Sequence, residues 1–231
     1  MPRPFVIELP FDQRSEIPAG ESFEFALVLF GRSLSFLPLF IMVFDEIGKR
    51  GFGIGKSGCF NIQSVTTPEN ATVYTPGSGF GAAPSRCVAE FQGGYTGGKG
   101  VLLHFITPVQ IRRQGRVEIP TFVDIVSALM RRLKLLYRFH SDERIDQEIV
   151  ESALDEARRA VNEQSLLFHT VLSRFSSRQK QRIIYPGCVG KIFAEGDFSS
   201  LYPWLAVGEY VHVGKGCSFG LGQYKLTILE S

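Results

Sequence analysis

Gly214-Lys215-Gly216-Cys217-Ser218-Phe219-Gly220-Leu221-Gly222 is the stretch on which the reading of this chain turns. A rougher echo stands far upstream, Gly51-Phe52-Gly53-Ile54-Gly55-Lys56-Ser57-Gly58. Each copy follows an apolar segment with a central proline, Tyr202-Pro203-Trp204 for the later one and Leu37-Pro38-Leu39 for the earlier. Each also leads into a short run that reads as a strand, Tyr224-Lys225-Leu226-Thr227-Ile228 and Phe60-Asn61-Ile62-Gln63-Ser64-Val65. A supersecondary unit repeated around a glycine loop implies a duplicated architecture. It also marks where the backbone takes positive φ or approaches a partner closely.

From the later copy back, residues 101–106 read as a strand that continues beyond Pro108 through Gln110-Ile111-Arg112. Pro120-Thr121 starts a helix, with Asp124 completing a capping-box-like pair. Phe122, Ile125, Val126, Leu129, Leu133 and Leu136 share one face of it at helical spacing. Residues 142–171 read as a second helix, acidic at its start as the helix dipole favours. A strand pair around residues 187–195, a short helix near 201–206, a strand at 210–213, the glycine loop and a last strand follow. That is the βαββαβ order of a ferredoxin-like domain with one inserted helix.

The front of the chain supplies only a buried strand at 23–30, an apolar helix at 34–47, a glycine loop and a strand at 59–65. This matches the back half of the same unit. The expected fold is therefore α+β, with ferredoxin-like folds in tandem. Residues 1–90 form a partial first unit and an irregular connection, and residues 91–231 form the second. On this reading the chain enters its first domain midway.

At 231 residues, 44% hydrophobic and 21% charged, the composition is that of an ordinary globular protein with room for a substantial core. The net charge of +2 names no partner, but its distribution is uneven. Residues 164–194 contain no acid and hold Arg174, Arg178, Lys180, Arg182 and Lys191. Residues 91–117 repeat the pattern, while acids crowd into 142–163. Such segregation allows a local basic surface; scattered solvated side chains are the alternative from charge alone. Cys59, Cys87, Cys188 and Cys217 lie far apart with no C-x-x-C pair, which argues against a structural zinc site or a disulfide scaffold and fits a reduced, cytoplasmic protein. The most apolar segment, residues 23–44, is broken by Arg32, Ser33, Ser35 and Pro38, so no membrane span or membrane partner is expected.

Gly53-Ile54-Gly55-Lys56-Ser57-Gly58 satisfies G-x-G-x-x-G, but a dinucleotide fingerprint follows a strand and opens a helix. Here the order is inverted, which removes both the dinucleotide and the phosphate-loop readings. The later loop carries four glycines in nine residues beside Lys215, more than a turn requires. Gly214, Gly216, Gly220 and Gly222, bare of side chains, would let a polyanion reach backbone N–H groups while Lys215 adds charge. Arg174, Arg178, Lys180 and Arg182, with Phe175 among them, suit phosphate contacts and base stacking. His212 immediately precedes the loop and is the candidate general acid or base. His104 reads as a satisfied core or face residue of a strand, His140 as a helix-end residue, and His169 as helical.

At these residues the chain resembles a known family. His212-Val213-Gly214-Lys215-Gly216 followed by Phe219-Gly220-Leu221-Gly222-Gln223-Tyr224 is similar to the C-terminal glycine-rich motif of the CRISPR-associated RAMP endoribonucleases that process precursor crRNA. Arg174-x-Ser176-x-Arg178-Gln179 with Gly187-Cys188-Val189-Gly190, and the opening Pro4-Phe5-Val6-Ile7-Glu8 with Phe30-Gly31-Arg32, resemble the same family's C-terminal region. The resemblance implies tandem ferredoxin-like folds that bind CRISPR repeat RNA, with other CRISPR-associated effector subunits as further partners. It implies cleavage through the RNA's own 2′-OH, without metal or cofactor. Many relatives carry a general-base histidine in the leading half of the first domain, and this chain has none before His104. Two expectations follow: a crRNA-processing endoribonuclease, or a non-catalytic RAMP subunit that binds guide RNA in an effector complex.

Overall fold

The computed structural model describes residues 1–9, 16–53, 55, 57–81, 85–94, 97–176 and 181–229, apart from the side chains of 92–94, 174–176 and 182. The front half opens with β1 (Phe5–Glu8) paired antiparallel to β2 (Ala26–Leu29), Phe5 opposite Leu29. A 3-10 turn over Gly31–Phe36 runs into α1 (Leu37–Arg50), where Pro38 sits in the first turn, the place a missing N–H does no harm. A small antiparallel sheet follows, β3 (Val65–Thr66), β4 (Thr72–Thr75) and β5 (Gly79–Phe80), then a 3-10 segment at Val88–Gly94.

The back half is built on β6 (Gly100–Val109), the small hairpin β7 (Arg112–Arg113) and β8 (Arg116–Val117), α2 (Phe122–His140), α3 (Gln147–Arg158), β9 (Val161–Ser176), β10 (Gln181–Glu195), α4 (Tyr202–Val211) and β11 (Tyr224–Leu229). Its sheet runs β11-β6-β10-β9 and every pairing is antiparallel. With α2 and α4 as the two crossovers and α3 as the insertion, this is the ferredoxin-like arrangement expected from the element order.

The core lies between one face of that sheet and the helices. Leu103, Phe105 and Ile192 meet Phe122, Ile125, Val126, Leu129 and Leu133 of α2, all essentially inaccessible. Burying each such side chain contributes about 2 kcal/mol. The start of α2 is capped as anticipated: Asp124 N–H donates to Thr121 Oγ1 at 3.3 Å, and Thr121 N–H donates to Asp124 Oδ2 at 2.9 Å. Tyr224 crosses from β11 into the core, its hydroxyl donating to Leu205 O at 2.5 Å. Gly208 leaves the room this needs, since a Cβ there would overlap the Tyr224 hydroxyl.

Four local readings are corrected. Residues 161–171 are strand rather than the end of a helix. The helix stops at Arg158, and Asn162 turns the chain at φ +51, so His169 sits on β9 opposite Cys188. Apolar runs such as Leu166-Leu167-Phe168 suit either period, and the long ladder with β10 decides for the strand. Residues 210–211 finish α4 instead of opening a strand, because Gly208 and Val211 pack into the core as helical neighbours. Residues 59–64 form no strand: only Val65 and Thr66 find a partner, in β4. In the front segment only Ala26–Leu29 is strand, half-buried instead of buried, since β1 alone pairs with it. Among the described residues, no helix is long and apolar enough to cross a membrane.

Candidate nucleic-acid interface

The glycine loop joins α4 to β11 and packs against two strands at once. Gly222 N–H donates to Pro108 O at 3.0 Å, Lys215 N–H to Gln110 O at 3.0 Å, and Val213 N–H to Gly222 O at 3.0 Å. Thr107 Oγ1 donates to Gly220 O at 2.7 Å and accepts from Gln223 N–H at 2.8 Å. Gly214 and Gly220 take φ of +94° and +81°. A Cβ on Gly214 would stand 2.6 Å from Gln110 O, and one on Gly220 2.8 Å from Ile7 O of β1. The glycines therefore serve a close fit to β6 and β1. Several of the N–H groups expected to cradle phosphate are already used inside the fold, and Lys215 is left as the exposed cation of the loop.

His212 is not at the surface. It caps α4 with φ +59° and ψ 167°, is 0% exposed, and its Nε2 lies 2.8 Å from Glu8 Oε1 of β1. Its Nδ1 is buried without a partner. So placed, the imidazole ties the N-terminal strand to the loop and is shielded from any molecule bound outside. Arg3 adds a second tie, its guanidinium 5.4 Å from the Phe219 ring centre, while His140 Nε2 at the end of α2 lies 2.9 Å from Pro2 O and holds the same segment to that helix. Cys217 is buried under the loop, Sγ donating to Gly214 O at 3.2 Å, and burial pushes its thiol pKa up, away from the thiolate.

The two ends of the basic run fall on β9 and β10. Arg174 stands opposite Ile183 and Arg182 opposite Phe175 in the backbone register, while Arg178 and Lys180 lie outside the described residues, as do the side chains of Arg174 and Arg182. β6 stops at Val109 opposite Cys188, whereas β10 reaches back to Gln181. The β9–β10 pair thus projects as a two-stranded arm from the end of the sheet that carries Pro108, Gln110 and the glycine loop. The glycine loop and the strands that carry the ends of the basic run, remote in the chain, share one end of the sheet.

A second surface went unread in the sequence. On the sheet face away from the helices, Lys225 of β11 stands opposite His104 of β6, His104 opposite Lys191 of β10, and Lys191 opposite Leu166 of β9. Lys225, His104 and Lys191 are all exposed, as are Leu166 (63%) and Phe168 (59%). Glu195, at the strand end, is the one acid on that face among the described residues, and Asn162 Nδ2 donates to it at 2.7 Å. Alternation within each strand was visible, but the cross-strand row exists only once the register is known. Among the described residues no group of three His, Cys, Asp or Glu side chains comes together that could hold a metal ion.

The model of the CRISPR-associated endoribonuclease Cas6 family matches residues 103–224, which span β6 through the start of β11 and include the whole glycine loop. The chain belongs to the Cas6 family. A further model, described as an N-terminal domain, matches residues 1–85. Among solved structures, a Cas6 product complex aligns with 97% of this chain and 82% of its own at 16% identity and a TM-score of 0.62. A Cas6 substrate-mimic complex aligns over 97% and 85% at 18% identity, TM-score 0.56. A chain from a partial Cas6-RT-Cas1–Cas2 complex aligns over 97% of this chain and 39% of its own at 12% identity, TM-score 0.63. No curated protein matches the chain. These likenesses extend the Cas6-type tandem ferredoxin-like fold to the front of the chain. Within it, His104 and His169 are the exposed histidines and His212 the buried one.

Proposed function

We propose that this Cas6-family chain binds CRISPR repeat RNA and takes part in its endoribonucleolytic processing, with the RNA's own 2′-OH as nucleophile and no metal ion. The observation that carries the reading is the coincidence of the family match with a basic end of the molecule. Lys215 beside the glycine loop and the basic run Arg174, Arg178, Lys180 and Arg182 would contact the RNA backbone. The row Lys225–His104–Lys191, flanked by Phe168, would add charge and a stacking surface for unpaired bases. Gly214, Gly216, Gly220 and Gly222 act by letting the loop seat closely, and His212 positions that loop through Glu8.

A second reading has a specific observation behind it. No histidine precedes His104, and His212 is walled in, so a chain that holds RNA without cutting it, as a subunit among other CRISPR-associated proteins, also accounts for the surfaces. Incubating the protein with repeat RNA in EDTA separates the two. Cleavage supports the first. Tight binding with intact RNA sinks catalysis by this chain and supports the second, and absence of binding overturns both.

A further inference from the structure

Beside the glycine loop is a small cavity of about 160 Å³ lined by Pro2, Ala128, Arg131, Arg132, Leu135 and Gly214. Arg132 is its unusual member. Its Nε donates to Val211 O at 2.7 Å, holding the last turn of α4, while its Nη2 is buried without a hydrogen-bond partner. Burial pushes its pKa down, with the Cys217 thiol acting weakly the other way. Among the described residues no carboxylate pairs with Arg132 or with Arg131, although other arginines near α2 find one, Arg113 with Asp124 and Arg32 with Asp142. A half-buried guanidinium with one inaccessible donor unused and no counter-charge is costly to keep in a fold. Lys215, exposed, follows the lining residue Gly214 in the chain. Two lining cations without a carboxylate partner attract an anion with more than one oxygen, and the guanidinium fork pairs bidentately with phosphate as it does with carboxylate.

We propose that this cavity is a seat for one phosphate oxyanion, held by Arg131 and Arg132. In the RNA-binding reading above, on which this placement rests, the occupant is a single phosphodiester of the bound RNA, and the seat fixes the RNA's register against the glycine loop. The same chemistry would take free inorganic phosphate. Because Nε holds Val211 and Nη2 is closed to solvent, the anion would reach Arg132 from the cavity beside Arg131, and Arg132 would couple the occupant to the end of α4 and so to the His212 cap.

The test has two arms. In the first, the Arg132 Nε–H resonance of the whole chain is followed while inorganic phosphate is added at constant ionic strength against chloride. A saturable shift, weakened about tenfold in Arg131→Gln, is expected. No shift beyond that produced by chloride overturns the seat. Arg131 is exposed, so its replacement leaves the fold intact; Arg132→Lys, which keeps the charge and loses the fork, is compared with it by thermal denaturation. In the second arm, single uncharged methylphosphonate linkages are walked along a repeat RNA. One linkage is expected to weaken binding about tenfold in the parent chain and not further in Arg131→Gln. If the parent chain binds no RNA, the RNA reading fails while the phosphate titration still decides the seat. If RNA binds but no linkage couples to Arg131 and phosphate leaves the Arg132 signal unmoved, the seat falls and the RNA reading stands. A phosphate response without a coupled linkage supports the seat and assigns it to free phosphate.

Discussion

The two glycine loops read alike in the sequence and are used differently in the fold. In the first, Phe52 and Gly58 bridge each other through paired N–H···O bonds of 2.7 and 3.1 Å, and Phe52 packs against Phe23 and Phe60. A Cβ on Gly53 or Gly55 would meet nothing, so those glycines serve only their positive φ of +81° and +69°. In the second, positive φ coincides with backbone pressed against β6, β1 and the loop's own start. A glycine that only turns the chain can be replaced at the cost of strain. A glycine that turns the chain against a carbonyl cannot, because the clash is with backbone that has nowhere to move.

The largest expected effect follows directly. Gly222→Ala would drive its Cβ into Val213 O at φ +72° and should destabilise the protein by about 4 kcal/mol or more in chemical denaturation. A loss under 1 kcal/mol, by the same measurement, would erase the distinction between the loops. Next, His212→Ala removes the tie to Glu8 and leaves an unfavourable backbone, and is expected to lose about 3 kcal/mol. His212→Gly, free of the φ +59° strain, should recover about 1 kcal/mol of that. If alanine proves the better replacement, the strained cap is not what the loop depends on.

Function sharpens the comparison further. Lys215→Gln should weaken repeat-RNA binding several-fold and reduce the salt slope of log K by about 1, whereas Lys56→Gln in the earlier loop should leave both unchanged. Equal effects from the two lysines would make the loops equivalent in RNA contact. Gly53→Ala should cost only about 1 kcal/mol, since strain alone is added. The smallest effect is expected at Glu209, which receives Leu226 N–H at 3.0 Å. Burial raises its pKa, with Leu226 N–H and Lys225 opposing. The folded chain therefore holds this proton more tightly than the unfolded chain, and the stability it contributes is lost as pH rises through the folded value. Glu209→Gln should flatten stability against pH above about pH 4, where the unfolded glutamate ionises; an unchanged profile would remove Glu209 as its source.

Much of the fold was legible because its signals are local. The α2 face, its Thr121–Asp124 cap and the βαββαβ order of the second unit are written in spacing and in residues three or four apart. Residues 161–171 were misread as helix because Leu166-Leu167-Phe168 suits both periods, and only pairing with β10 chooses between them. The site was legible in part. The glycine loop and the Arg174–Arg182 run are candidates that local sequence singles out, and the loop and the β9–β10 strands leave the same end of the sheet. The Lys225–His104–Lys191 row was not, because its members are remote in the chain and meet only through strand register. Arg132 carries no local signal, since its partial burial depends on α4 and Gly214 folding over it.

The sequence by itself determined the element order, the capped apolar face of α2 and a glycine loop that requires positive φ, all properties of neighbouring residues. Tertiary structure alone decided that the loop's N–H groups are spent on β6, that His212 turns inward to Glu8, and that Arg132 is left with an unpaired donor beside a cavity. Burial and hydrogen-bond partnership depend on which distant segments close over a residue, and no local pattern records that.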